Sequence, residues 1–166
     1  MDVLNLTEDA LEAKCVEWRR WFHEHPEVST EEKKTSEKIF TILKDLGLDP
    51  VRGTDHYGVA ATLKGGKPGP MVALRADIDA LSVKEATGLP YASQNPGVMH
   101  ACGHDIHITT LLETILRLLR RKEEIQGSVR ILFQPSEELS PTGGARYMMK
   151  DGFLQDVKAI FGLHVW

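Results

Sequence analysis

Long apolar runs are missing from this 166-residue chain. None approaches the roughly 20 residues that cross a bilayer, so no membrane-spanning helix and no membrane partner are expected. Cysteine is scarce. The two present, Cys15 and Cys102, lie far apart in different contexts, so no disulfide framework is expected. A reducing, cytoplasmic setting is the simpler expectation. The first residues, Met1-Asp2-Val3-Leu4-Asn5, lack a basic stretch followed by an apolar one, so no secretory leader is read there. Positive charge is not in excess: the net charge is -4 and the isoelectric point near 6.0, which gives no electrostatic footprint for nucleic acid. One basic run, Arg117-Leu118-Leu119-Arg120-Arg121-Lys122, falls where a helix should end, and cations suit that end of the helix dipole. The glycine-rich Gly65-Gly66-Lys67-Pro68-Gly69-Pro70 lacks the Gly-Lys-Ser/Thr ending of a phosphate loop. Internal repeats and low-complexity tracts are absent too.

What is present suits a single globular domain with a real core, since 42% of residues are hydrophobic and 27% charged. Thr7 to about His23 reads as a helix capped by Thr7, with Leu11, Cys15, Trp18 and Phe22 as its apolar stripe. Cys15 is accordingly read as a core residue. Pro26 stops the helix, and His23 and His25 are read as helix-end residues rather than ligands. A second helix runs from Ser29 or Thr30 to Leu46. Ser29 with Glu32 forms its capping box, and Gly47 ends it. The alternating stretches Gly58–Leu63 and Met71–Ala76, joined by the glycine-rich turn, predict a hairpin. A long helix over Asp105–Arg121, a strand over Ser128–Phe133, a short helix over Thr142–Lys150 and a strand over Lys158–Val165 follow. This alternation predicts an α/β fold, layered α/β/α around a largely parallel, mixed sheet.

The chemistry concentrates in Met99-His100-Ala101-Cys102-Gly103-His104-Asp105-Ile106-His107. Thiolate, imidazole and carboxylate are the groups that hold zinc and similar ions. Taken alone, Cys102-x-His104 also fits a buried cysteine beside surface histidines. Likewise Glu137-Glu138 alone fits an exposed acidic pair. What favours a site is position. Arg75-Ala76-Asp77-Ile78-Asp79, Gln134-Pro135-Ser136-Glu137-Glu138 and His164 each follow a predicted strand, and open α/β sheets collect ligands beyond the carboxyl ends of their strands. The Cys102 loop opens a helix and can join them there.

The succession Arg75-Ala76-Asp77-Ile78-Asp79-Ala80-Leu81, Met99 to Asp105, Gln134 to Glu138 and Gly162-Leu163-His164-Val165-Trp166 resembles the M20 metallopeptidase family. It is most similar to the amidohydrolase branch, whose members hydrolyse N-acyl amino acids, hippurate, N-acetyldiaminopimelate and auxin conjugates. The likeness runs from about Trp18 to Trp166. The resemblance implies a zinc-peptidase-like fold and two divalent metal ions, zinc, manganese, cobalt or nickel. By motif, Cys102, His104, Glu138 and His164 match the metal ligands and Glu137 the general base. Asp79 matches a carboxylate that orients a ligand. The implied substrate is a small N-acyl amino acid, and the implied assembly of the parent is a homodimer or homotetramer. Two departures stand out: Ser82 replaces a usual proline, and Leu139-Ser140-Pro141-Thr142-Gly143-Gly144 replaces a glycine-led segment. Family members are also longer. Residues 1–166 are therefore expected to be the amino-terminal part of the catalytic domain, without the lid or dimerisation domain and the remaining catalytic part. Those would carry a further metal-binding histidine and the groups that recognise the substrate carboxylate.

Three rival readings remain. The same site serves carboxypeptidases and aminopeptidases of this family. A chain of this length could be a metal-binding fragment without turnover. Finally, Cys102 could act as a redox sensor, although no resolving cysteine lies nearby.

Overall fold

The computed structural model describes residues 5–165. Met1–Leu4 of the amino-terminal reading, and Trp166 at the end of the last motif, lie outside the described residues. Helix α1 spans Glu8–Glu24, α2 Lys33–Asp45, α3 His104–Arg120 and α4 Ala145–Lys150. The strands are β1 Val51–Arg52, β2 Val59–Lys64, β3 Lys67–Asp77, β4 Gln126–Gln134 and β5 Val157–Gly162. No helix among the described residues is long and apolar enough to cross a membrane.

Helix α1 starts where its cap predicts: Thr7 Oγ1 accepts from the Ala10 N–H at 3.3 Å. Leu11, Cys15, Trp18 and Phe22 are buried along one stripe. The start of α2 corrects the expected capping box. Ser29 Oγ donates instead to Asp79 Oδ2 at 2.7 Å, and the buried Glu32 carboxylate accepts from the Ser136 N–H at 2.7 Å. The cap comes from Glu27, whose carboxylate accepts from the N–H groups of Lys34 at 3.1 Å and Thr35 at 2.8 Å. A carboxylate at this end also suits the helix dipole. Gly47 ends the α2 region in the left-handed conformation at φ 78°.

The sheet runs in the order β1-β2-β4-β3-β5, which overturns the predicted hairpin. Strand β4 lies between β2 and β3, antiparallel to β2 and parallel to β3. The supposed turn pairs with the start of β4: the Gly65 N–H donates to Gly127 O at 2.9 Å and the Lys67 N–H to Ile125 O at 3.1 Å. A turn signal fixes only where the chain can bend. Inserting β4 gives both earlier strands a ladder and adds Val129, Ile131 and Phe133 to one apolar face. Gly127 permits the insertion, with φ 87° and a site where any Cβ would lie 1.9 Å from Pro70 O.

Alternation divides the sheet into two faces. Val59, Ala61, Leu63, Ala76, Val129, Ile131 and Phe133 meet α1, α2 and α3 in the main core. Ala60, Ala73 and Leu132 meet Met148 and Phe153 on the other. The result is the expected layered, mixed α/β fold, with β3, β4 and β5 parallel. Helix α4 begins later than predicted: residues 140–142 form a turn, and Gly144 passes against Pro135, where a Cβ would lie 2.0 Å from Pro135 O. Strand β5 pairs with β3 at the sheet edge, and its apolar run lies open there. Ile160 is 52% exposed and Phe161 57%. The basic run at the end of α3 is spent in surface ion pairs: Arg117 meets Glu113 and Glu8, and Arg121 meets Glu124.

Candidate metal centre

Parallel β3, β4 and β5 end on one side, so the segments after them converge as expected. Asp77 ends β3 and Asp79 follows it. Beyond β4 the chain turns sharply at Ser136, which takes φ 54°, an uncommon conformation outside glycine. Ser136 Oγ accepts from the Thr30 N–H at 3.0 Å and its own N–H is held by Glu32. This bend presents Glu137 and Glu138. Helix α3 enters through Gly103, at φ 82°, and delivers His104 from its first turn.

His104 is fully buried and common to three donor groups: Cys102 with His164, Asp77 with His107, and Glu137 with Glu138. Its Nδ1–H donates to the Asp79 carbonyl at 2.8 Å, with Asp79 Oδ1 at 3.3 Å. That leaves the Nε2 lone pair pointing at carboxylates. Asp77 Oδ2 lies 3.7 Å away, Glu138 Oε1 3.7 Å and Glu137 Oε2 3.8 Å. His104 Nε2 and Glu138 Oε1 are both buried without a hydrogen-bond partner. A lone pair facing carboxylates is repulsive unless a proton or a metal ion stands between them. On the other side of the group, Cys102 Sγ lies 3.4 Å from His164 Nε2.

These separations suit a shared ion. Donors roughly 2.0–2.3 Å from a tetrahedral zinc stand about 3.5 Å apart. The donor chemistry, thiolate with imidazole and carboxylate, also fits zinc and its neighbours. Metal-free electrostatics point the same way. Burial alone would lower the His104 pKa, but the Asp79 hydrogen bond and the charges of Asp77, Asp79 and Glu138 raise it. Cys102 is pushed up to about 11, first by burial and then by Glu138, Glu137 and Asp77. Without a cation it is a protonated thiol, which disfavours the redox-sensor reading.

Asp79 is the organiser of this cluster. Its Oδ2 accepts from Ser29 Oγ at 2.7 Å and from the Glu138 N–H at 2.9 Å. Burial would raise its pKa, but these bonds and His104 lower it, so it stays ionised. Glu137 is the more open of the acidic pair, with 41% side-chain exposure against 23% for Glu138.

Other residues depart from the reading above. His25 does serve the helix end, Nδ1 lying 2.7 Å from Trp21 O. His23 does not. It is buried between Asp105 Oδ2 at 2.8 Å and Glu85 Oε1 at 3.2 Å. Glu85 in turn accepts from the Ser93 N–H at 2.6 Å, tying the 82–98 loop to α1. His100 is buried with neither ring nitrogen bonded, and burial pushes its pKa down to about 4. Asp77 and His107 join the cluster although the motifs do not point to them. The available signal was spacing: His107 lies three residues after His104 on α3, hence on the same face.

Residues 73–166 match the model of peptidase family M20/M25/M40. The chain is 42% identical over 160 residues to an N-acetylcysteine deacetylase of Bacillus subtilis, covering 96% of this chain and 42% of that protein. It is 41% identical over 158 residues to an N-acyl-L-amino acid amidohydrolase of Geobacillus stearothermophilus, covering 95% and 42%. Among solved structures, a Bacillus subtilis protein described as a dinuclear metal-binding peptidase of the M20 family superposes with a TM-score of 0.92 at 42% identity. That match covers 96% of this chain and 44% of that one. The chain thus spans less than half the length of these relatives.

Proposed function

Because this chain belongs to peptidase family M20/M25/M40, we propose that it forms the amino-terminal part of the catalytic domain of a metal-dependent amidohydrolase. The substrate class is the small N-acyl amino acid. The reading is supported by relatives that carry such activities in their names. The observation that carries it is the buried, unpartnered pair of His104 Nε2 and Glu138 Oε1, 3.7 Å apart.

In this reading Cys102, His104, Glu138 and His164 hold divalent ions, zinc or manganese being the candidates for a cytoplasmic enzyme. A bound ion supplies Lewis acidity toward water and toward the amide carbonyl. The chain's own residues do the rest. Asp79 holds the His104 ring through its carbonyl and fixes the Glu138 backbone, so two donors from different elements keep one relative position. Glu138, the less exposed glutamate, is spent on the ion. Glu137, more open, is free to take a proton from the attacking water and return it to the leaving amine.

The test uses the parent protein, assayed with N-acetyl amino acids and with dipeptides in the presence of zinc or manganese. Hydrolysis of the N-acetyl compounds is expected, and it should collapse in Glu137→Gln while bound metal persists. Turnover confined to dipeptides would move the enzyme to the peptidase side of the family. No turnover of either class would contradict the reading.

A further inference from the structure

The proposed centre leaves His107 unexplained, although it is buried and shares the His104 face of α3. Its hydrogen bonds fix its state. Nε2 receives the Val165 N–H at 3.1 Å. A backbone N–H only donates, so Nε2 must be the lone-pair nitrogen and the proton must sit on Nδ1. Nδ1–H then donates to Asp77 Oδ1 at 2.5 Å. The other Asp77 oxygen accepts from Arg75 Nη1 at 2.7 Å. Arg75 is itself oriented by Gln134 Oε1, which accepts from its Nε at 3.0 Å. Arginine therefore fixes the carboxylate, and the carboxylate fixes the tautomer.

The end of this relay falls where the sheet stops. The β3–β5 ladder makes its last pairing at Arg75 and Gly162. Residues 163–165 continue beyond it, and they include His164. Val165 is bound to His107, and the His107 and His164 rings meet edge-on with centroids 4.8 Å apart. The Val165 side chain also closes over Gly103, where an added Cβ would lie 2.6 Å from it. His164 directs Nδ1 at the Val165 carbonyl, 2.5 Å away, and Nε2 at Cys102. Thus Val165, whose carbonyl orients the His164 ring, is the residue whose N–H His107 holds.

We infer that His107 is a positioning residue, with Asp77 and Arg75 setting its tautomer so that it anchors the Val165 amide and places His164 at the metal centre. The inference rests on reading His164 as a ligand. His107 itself needs no contact with an ion: it acts through backbone. Gln can present an acceptor near the position of Nε2, whereas Leu cannot and Asn is too short to reach Val165.

Cobalt(II) titration of the full chain tests this, followed by the Cys102 thiolate-to-cobalt absorption and the dissociation constant. His107→Leu is expected to weaken cobalt binding about 10–100-fold, the usual effect of losing a group behind a ligand. His107→Gln should stay near wild type. His164→Ala should weaken binding, and adding His107→Leu to it should cost little more, because both changes remove the same ligand. Amide exchange of Val165 in the metal-free chain should be slow in wild type and His107→Gln and fast in His107→Leu. If His107→Leu does not fold, His107→Asn takes its place with the same expectation. Wild type binding cobalt while His107→Leu matches it, or losses that simply add in the double variant, would overturn the positioning role alone. Wild type showing no thiolate–cobalt absorption would overturn the metal-centre reading along with it.

Discussion

At the residue scale, the site works by dividing similar side chains between dissimilar surroundings. Glu137 and Glu138 are neighbours, yet the Glu138 backbone is held by Asp79 and its Oε1 is buried without a partner. Glu137 keeps an exposed side chain. If the proposed roles hold, Glu137→Gln should cut kcat by about 10²–10⁴-fold, the usual worth of a general base, without loss of metal. Glu138→Gln should lose metal. The reverse pattern, read by steady-state kinetics and metal analysis, would exchange the two roles. Much of this cluster could be read from sequence, because Cys102, His104, Glu137, Glu138 and His164 are of types that bind ions and lie at the ends of predicted elements. Asp77 and His107 were less readable. Their part depends on Val165 coming within hydrogen-bond reach, and no local spacing encodes that. His23 failed for a related reason: Glu85, its second partner, lies in an irregular loop.

At the element scale, local signals succeeded where the partner is close in sequence and failed where it is distant. Thr7 caps α1 across three residues. Glu32 looks like half of a capping box, but Ser136, 104 residues away, claims its carboxylate. The β2–β3 hairpin was predicted from a turn, and β4 enters between its strands from much later in the chain. Two substitutions test the observed elements. Glu27→Ala removes the acceptor for the Lys34 and Thr35 amides and should cost about 1 kcal/mol, as a lost helix cap does. Gly127→Ala should cost more. The φ of 87° alone is worth roughly 1–3 kcal/mol for a non-glycine residue, and the Pro70 carbonyl blocks its Cβ. Urea midpoints at unchanged slope would measure both. A neutral Gly127→Ala would contradict the close β3–β4 crossing.

At the scale of the whole molecule, charge and exposed surface set behaviour. His23 is raised, chiefly by its hydrogen bond to Asp105. Burial would raise the Asp105 pKa, but His23, His100 and Arg19 lower it. The His23 contribution to stability is complete below its unfolded pKa of about 6.5 and is lost as pH rises through the higher folded value. The Asp105 contribution is complete above its unfolded pKa of about 3.9 and is lost as pH falls through the lower folded value. His23→Gln should thus lower the melting temperature most near pH 5–6, with the difference from wild type shrinking toward pH 9. A constant difference would contradict the pair. The edge strand β5 exposes Ile160 and Phe161, and Leu163 just beyond it is 54% exposed. An open apolar edge invites association, so size-exclusion chromatography should show oligomers that Ile160→Lys reduces. The central claim, however, is that the cluster around His104 holds a divalent ion, and metal content per chain tests it most directly. After purification with zinc and manganese present, wild type should retain at least one ion per chain and His104→Ala should lose it. Equal metal in the two proteins, or none in wild type, would contradict the account.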